Sequence, residues 1–204
     1  TQDIPKEWPE SLRQLIQKHP LAWGQSEGWA LHLRRNMPML DETIARSHRA
    51  FPTIDKGAKW NEKKSWWQFS SGFHYQFAHC EKKTSYQNYL SKQYTHIAFD
   101  ELVQFYKEQY DQITSRRRTG DPVLRYFRKT RSMSNPKLRG QNEDITVDDP
   151  LWVKKEFVDP CPDGKKILRK KLTMADGSNE YRTRIYLPAT LYDNPDKEFV
   201  KQYE

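Results

Sequence analysis

Tyr94-Thr95-His96-Ile97-Ala98-Phe99-Asp100-Glu101 decides the fold. From Tyr94 to Phe99 the residues are mostly apolar, aromatic or β-branched, which predicts a buried strand. The strand closes on two adjacent acids. Downstream, a helical pattern over about Gln104 to Arg117 is ended by Thr119-Gly120, and Leu124–Thr130 reads as a further, basic strand. Upstream, Ser65–Phe69 and Phe73–Ala78 flank Ser70-Ser71-Gly72, a turn of hairpin length. Gly28–Leu33 reads as another buried strand, running into Arg34-Arg35. Pro38 then opens a helix to about Ala50, with Met39, Leu40, Thr43, Ile44 and Ser47 on one face. Strands alternating with helices predict an α/β fold with a mostly parallel sheet, decorated by antiparallel hairpins.

The ends of the chain add less. Ser11 caps a short amphipathic helix to Lys18, which Pro20 ends. Residues 137–150 are polar and loop-like, and residues 151–158 suggest a short helix. A second hairpin is expected from Lys166–Met174, the turn Asp176-Gly177-Ser178-Asn179 and Tyr181–Leu187.

The 204 residues suggest one domain, taken as spanning 1–204. With 35 Lys+Arg against 27 Asp+Glu the formal charge is +8, which favours a polyanionic partner, most simply nucleic acid. Only 35% of residues are hydrophobic, but aromatics reach 13% and supply enough large side chains for a core. Cys80 and Cys161 make no disulfide framework, so a reduced, intracellular chain is expected. No apolar stretch approaches the roughly 18 residues of a membrane span, and Thr1-Gln2-Asp3-Ile4-Pro5 is not a signal peptide. Without an initiator Met, the chain is expected to be a fragment or a processed product.

Asp100-Glu101 carries the chemistry. Phosphoryl transfer needs one carboxylate to hold Mg²⁺ and a second group to orient or deprotonate water, and two consecutive residues after a buried strand can supply both. Ser115-Arg116-Arg117-Arg118 offers a cation to developing phosphate charge, in cis or in trans. The same residues also suit a helix C-terminus or DNA phosphates. Ser134-Asn135-Pro136 offers a polar tip beside the acid-bearing strand, or an ordinary turn. Lys165–Lys171, with Arg182 and Arg184 opposite, is either a DNA-facing ribbon or a solvated one, and its candidate contacts are Lys166, Arg169, Lys171, Arg182 and Arg184. His74, His79, Cys80 and His96 fit no usual zinc spacing. Gly-x-Ser-x-Gly is absent, and the acids are too scattered for a nuclease.

In order along the chain, these pieces resemble phage terminase large subunits from about residue 28 to 203. Trp29-Ala30-Leu31-His32-Leu33-Arg34-Arg35-Asn36 resembles that family's strand ending in an Arg pair. Trp67-Gln68-Phe69 with Ser71-Gly72 resembles its hairpin, and Tyr86-Gln87 its Tyr-Gln-Gly segment, with Asn88 in place of Gly. Ile97-Ala98-Phe99-Asp100-Glu101 resembles Walker B, Ser115–Arg118 the Arg-rich segment after it, and Ser134-Asn135-Pro136 the coupling motif. Trp152-Val153-Lys154 with Phe157-Val158, Leu187-Pro188-Ala189 and Asp193-Asn194-Pro195 resemble later blocks.

The resemblance implies a P-loop NTPase-like fold of the additional-strand class, using ATP and Mg²⁺. It implies a homo-oligomeric ring on the portal protein of a procapsid, working with a terminase small subunit in the cytoplasm of the bacterial host. There ATP hydrolysis drives double-stranded DNA inward, and a separate nuclease domain cuts it. By match, Asp100 would hold Mg²⁺, Glu101 would activate water, Ser134 and Asn135 would couple hydrolysis to movement, and Arg116 and Arg118 would stabilise charge.

The sequence departs from that pattern at the phosphate loop. Gly-x-x-x-x-Gly-Lys-Ser/Thr is absent, and Trp23-Gly24-Gln25-Ser26-Glu27-Gly28 lacks the Lys and a long helix after it. The expectation is therefore a partial ATPase domain that alone hydrolyses ATP poorly or not at all, without its loop or nuclease domain. The alternative is a non-catalytic basic α/β module that binds nucleic acid or assembles with partner chains.

Overall fold

The computed structural model describes residues 9–18, 28–135, 151–173 and 179–190, with Gly177, Asp193 and Lys201. Expectations for residues 137–150, and those resting on residues 23–27, Pro136, Asp176, Ser178, Asn194 and Pro195, lie outside the described residues. The chain divides into two compact units, Thr1–Asp149 and Pro150–Glu204. Among the described residues no helix is long and apolar enough to cross a membrane.

The first unit is built on a six-stranded sheet. Its strands are β1 (Trp29–Arg34), β2 (Lys59–Asn61), β3 (Trp66–Gln68), β4 (His74–His79), β5 (His96–Asp100) and β6 (Lys129–Met133), in the order β2-β3-β4-β1-β5-β6. β4, β1, β5 and β6 run parallel, whereas β3 and β2 extend the β4 edge antiparallel. The mostly parallel α/β sheet with added antiparallel pieces is thus observed. β1 is buried at consecutive positions, Ala30 to Leu33, because both its faces are covered, as parallel strands require.

Leu31 pairs with Ile97 and Leu33 with Phe99, so these four buried side chains share one face. There Phe99 meets Phe105 edge-on at 5.1 Å and Tyr110 at 5.2 Å. Tyr110 belongs to α3 (Lys107–Thr114), which Gln109 locks in place. The buried Gln109 amide donates to the carbonyls of Cys80 (3.2 Å) and Lys82 (2.8 Å), while its oxygen accepts from Tyr106 N (3.1 Å).

The opposite face holds Trp67, Phe77 and Leu40, with Ile44, Phe51 and Trp60 packed against them. Here α2 (Asp41–Ile54), entered through a 3-10 turn at Met37–Leu40, covers the sheet. Trp67 Nε1 donates to Ser47 Oγ at 2.9 Å, and that hydroxyl donates to Ile44 O at 2.7 Å, so a buried polar pair is satisfied. Met39, expected on this buried face, is exposed because the entry turn rotates it outward.

Two elements differ from expectation. Leu124 lies in a helix, α4 (Pro122–Tyr126), and the strand starts only at Lys129. Asp121 causes this: its Oδ1 accepts from Val123 N (2.8 Å) and Leu124 N (3.0 Å), and Pro122 presets the first turn. The helix predicted to Arg117 ends at Thr114, so the arginine run leaves it as irregular chain. α1 (Glu10–Lys18) lies beside α4.

The second unit contains a π-helical turn, Lys154–Val158, and an antiparallel ribbon of β7 (Leu168–Thr173) and β8 (Asn179–Arg184).

Candidate functional site

In open α/β sheets ligands bind beyond the carboxyl ends of the strands, where successive connections leave in opposite directions. Here that point is fixed by topology. From β1 the chain continues to the β4 side of the sheet, and from β5 it continues to β6 on the other side. The crevice therefore opens between the ends of β1 and β5, which are Arg34 and Asp100.

Arg34 Nε donates to Asp100 Oδ2 at 2.7 Å across this point. Both side chains are mostly but not fully buried, at 25% and 16% exposure, so water screens the pair only in part. The bond occupies one carboxylate oxygen and orients the other. Next in sequence, Arg35 donates to Cys80 O (3.3 Å) and lies over the Tyr106 ring at 5.1 Å. Asn36 Oδ1 is buried with no hydrogen-bond partner among the described groups.

Glu101 has φ 56 and ψ 59, in the left-handed region. That conformation costs a non-glycine residue about 1–2 kcal/mol and breaks the strand at once. The following 3-10 turn, Leu102–Gln104, is closed by Gln104 N to Glu101 O at 2.9 Å. β6 ends beside it, with Met133 opposite Asp100. Ser134 Oγ accepts from Val103 N at 3.2 Å, and its one proton has two acceptors in reach, Asn135 O at 3.3 Å and Glu101 Oε2 at 3.5 Å. Asn135 follows, exposed, at the same edge. The structure thus brings Asp100, Glu101, Ser134 and Asn135 together, with Ser134 tying the β6 tip to the acid turn.

Arg116 and Arg118 are not part of this group. Tyr94 N donates to Arg116 O at 2.9 Å, and Arg118 lies with Gly28, Trp29 and Thr95 at the amino ends of the strands. About 20 Å of strand separates Tyr94 from Asp100, at roughly 3.3 Å per residue. A helix following β5 runs back along the sheet, so its C-terminus delivers the arginines to the opposite edge. Charge stabilisation at Asp100 by these two within one chain is excluded by that placement. Arg116 Nε is itself buried without a partner among the described groups.

Beneath the crevice, His32 on β1 is buried and its Nδ1 is 2.9 Å from Tyr75 Oη. Burial lowers its pKa, opposed by the Asp100 charge and reinforced by Arg34, so the ring favours neutrality. Burial also raises the Tyr75 phenol to about 12, against the pull of Arg131.

The basic ribbon splits by register. Arg169 and Lys171 share one face with Thr183 and Tyr181, whereas Arg182 and Arg184 share the other with Lys170 and Leu168. Arg184 is committed internally: its NH1 meets Glu156 Oε1 at 2.5 Å and Glu156 O at 3.2 Å, and it stacks on Phe157 at 5.0 Å. Lys166, Arg169, Lys171 and Arg182 are exposed.

Among the described residues no group of three or more His, Cys, Asp or Glu converges. His74 stacks on Trp29 at one end of β4, while His79 and Cys80 stand at the other, so they form no metal set. Mg²⁺ asks for less, taking one or two carboxylates and completing its shell with water and phosphate oxygens. Asp100, with one oxygen left by Arg34, fits that demand. A Gly-rich, Lys-bearing loop that would cradle a nucleotide's β- and γ-phosphates is not found beside Asp100 among the described residues.

Sequence reading missed the Arg34–Asp100 pair, whose signal was that two adjacent buried strands each end in a charge. No protein-family model matches this chain, and no curated protein is significantly similar to it.

Proposed function

We propose that this chain is the acid-bearing part of an ATP-driven DNA-packaging motor of the terminase large-subunit type. The observation that carries the reading is the position of Asp100-Glu101 at the switch point, with Ser134, just past the neighbouring strand, 3.5 Å from Glu101 Oε2 and bonded to Val103 N of the turn that follows it. An adjacent acid pair is unremarkable on its own. Placed there, with Glu101 in a left-handed turn, it has the form of a hydrolytic site.

Each residue then has a role. Mg²⁺, when bound at Asp100, would neutralise phosphate charge. Arg34 holds the Asp100 carboxylate in one orientation. Glu101 orients water, and Ser134 couples the position of Glu101 to the tip of β6, with Asn135 beside it. Arg116 and Arg118 would serve a neighbouring subunit of a ring, or DNA. Double-stranded DNA would meet Lys166, Arg169, Lys171 and Arg182, and the assembly would include a portal protein and a small subunit. The triphosphate grip must come from a loop that this sequence does not contain, so the chain alone binds Mg–ATP weakly and hydrolyses it poorly.

The test is thermal stabilisation by millimolar Mg–ATP. The wild-type chain should gain stability that Asp100→Asn loses; equal gains in both would remove the role given to Asp100. The absent Lys-bearing loop favours a second reading, a basic module that binds nucleic acid without nucleotide. Salt-sensitive DNA binding with no Mg–ATP stabilisation of the wild type would decide for it.

A further inference from the structure

The amino-terminal edge of the sheet carries a cleft that lies away from Asp100 and gives Arg118 a defined setting. It is open, about 270 Å³ in volume, and lined by Gly28, Trp29, Lys92, Gln93, Thr95, Arg118 and Thr119. The lining contains two cations and no acid. Lys92 Nζ sits 4.0 Å above the Trp29 ring and 5.1 Å from Trp66, and Lys64 Nζ lies 4.7 Å from the same Trp66 ring. Trp29 and Trp66 meet edge-on at 4.7 Å. Lys64, Lys92 and Arg118 make no ion pair with any described carboxylate.

From this geometry we infer that the cleft is a phosphate site for the backbone of a nucleic acid, continued by Lys64 along the paired indoles. Its openness leaves room for a phosphodiester group with the chain continuing on either side. Its chemistry argues for an anion. Lys92 is partly buried, and burial with the Lys64 charge lowers its pKa, which a bound phosphate would reverse. Thr119 Oγ accepts from Asp121 N at 3.1 Å and keeps its own proton to donate, while the Gln93 amide is exposed. The run of Lys92 and Lys64 along the paired indoles suits a polyanion better than a single ion, because it places a second cation beyond the cleft, and each ammonium is positioned by an indole ring. The inference does not depend on ATP hydrolysis, since Asp100 lies at the other edge.

The test measures binding of labelled single-stranded and duplex oligonucleotides across a salt series, using the whole chain. Lys92→Gln with Arg118→Gln should remove the one phosphate contact of the cleft and lower the magnitude of the duplex salt slope by about 0.9. Arg118→Gln alone, at an exposed position, should lower it by about half that and leave the melting temperature unchanged, so a fold defect in the Lys92 variant does not blur the outcome. An unchanged slope in Arg118→Gln overturns the inference. Free ATP and inorganic phosphate are the competing probes. Failure of either to displace oligonucleotide at equal concentration supports the backbone assignment. Displacement by ATP in the wild type that is lost in the double variant overturns it in favour of a free-nucleotide site. Metal binding at Asp100 should be the same in all variants, which keeps this outcome separate from the hydrolytic reading.

Discussion

Replacing Arg34 by Gln and Asp100 by Asn, singly and together, probes the contact that organises the crevice. The atoms are 2.7 Å apart, and charge centres about 4 Å apart attract by about 4 kcal/mol at an effective dielectric near 20. Desolvation of both groups offsets much of this. Exposed pairs net about 0–1 kcal/mol, and hydrogen bonds to charged groups about 1.5–3 kcal/mol. For a pair whose members keep 25% and 16% exposure, a coupling energy of about 1–2 kcal/mol follows. Urea denaturation of the four proteins measures it. Each single variant should be destabilised, and the double variant by less than the sum. Removing the guanidinium also frees Asp100 Oδ2, so Arg34→Gln should bind Mn²⁺ up to about tenfold more tightly, equivalent to about 1.4 kcal/mol. Additivity within about 0.3 kcal/mol, together with unchanged Mn²⁺ affinity, would refute the reasoning.

Two further predictions concern the scaffold. Trp67→Phe removes the indole donor to Ser47 Oγ and part of a buried ring; it should cost about 1–3 kcal/mol in denaturant unfolding, and a change below the error of the method would contradict the packing described. His32 and His96 both have pKa values lowered by burial, His96 also by Lys129 and Arg131. Their unfolded forms therefore bind protons more readily than the folded forms, so stability is present above about pH 6.5 and is lost as pH falls through the folded values. The urea midpoint should drop between about pH 7 and pH 5, and His32→Gln should flatten that slope; a slope as steep in the variant would assign the effect elsewhere.

The parallel sheet was legible because β1 and β5 are short, mostly apolar stretches, Trp29–Leu33 and Ile97–Phe99, set between helical patterns. The acid pair was legible for the same reason, as charges that abruptly end such a stretch. β2 was not: Lys59-Trp60-Asn61 is too short to show a period, and its pairing with β3 is a tertiary event. The segment after Asp121 was misread although Asp-Pro was present, because Tyr126, Phe127 and Thr130 are residue types that favour a strand. Arg116 and Arg118 are close to Asp100 in sequence but distant in space, since a helix after a parallel strand runs back to the opposite edge. The Arg34–Asp100 contact spans 66 residues, and no local pattern encodes which two strands become neighbours.

The central claim is that Asp100, presented at the switch point, holds a divalent cation beside Glu101 and Ser134. Paramagnetic broadening of backbone amide resonances by substoichiometric Mn²⁺, with and without ATP, tests it most directly. The account predicts selective broadening at Phe99–Leu102 and at Met133–Asn135, stronger with ATP and lost in Asp100→Asn. Broadening spread over exposed acids such as Glu42, Glu62 and Glu108, and unaltered by Asp100→Asn, would contradict it.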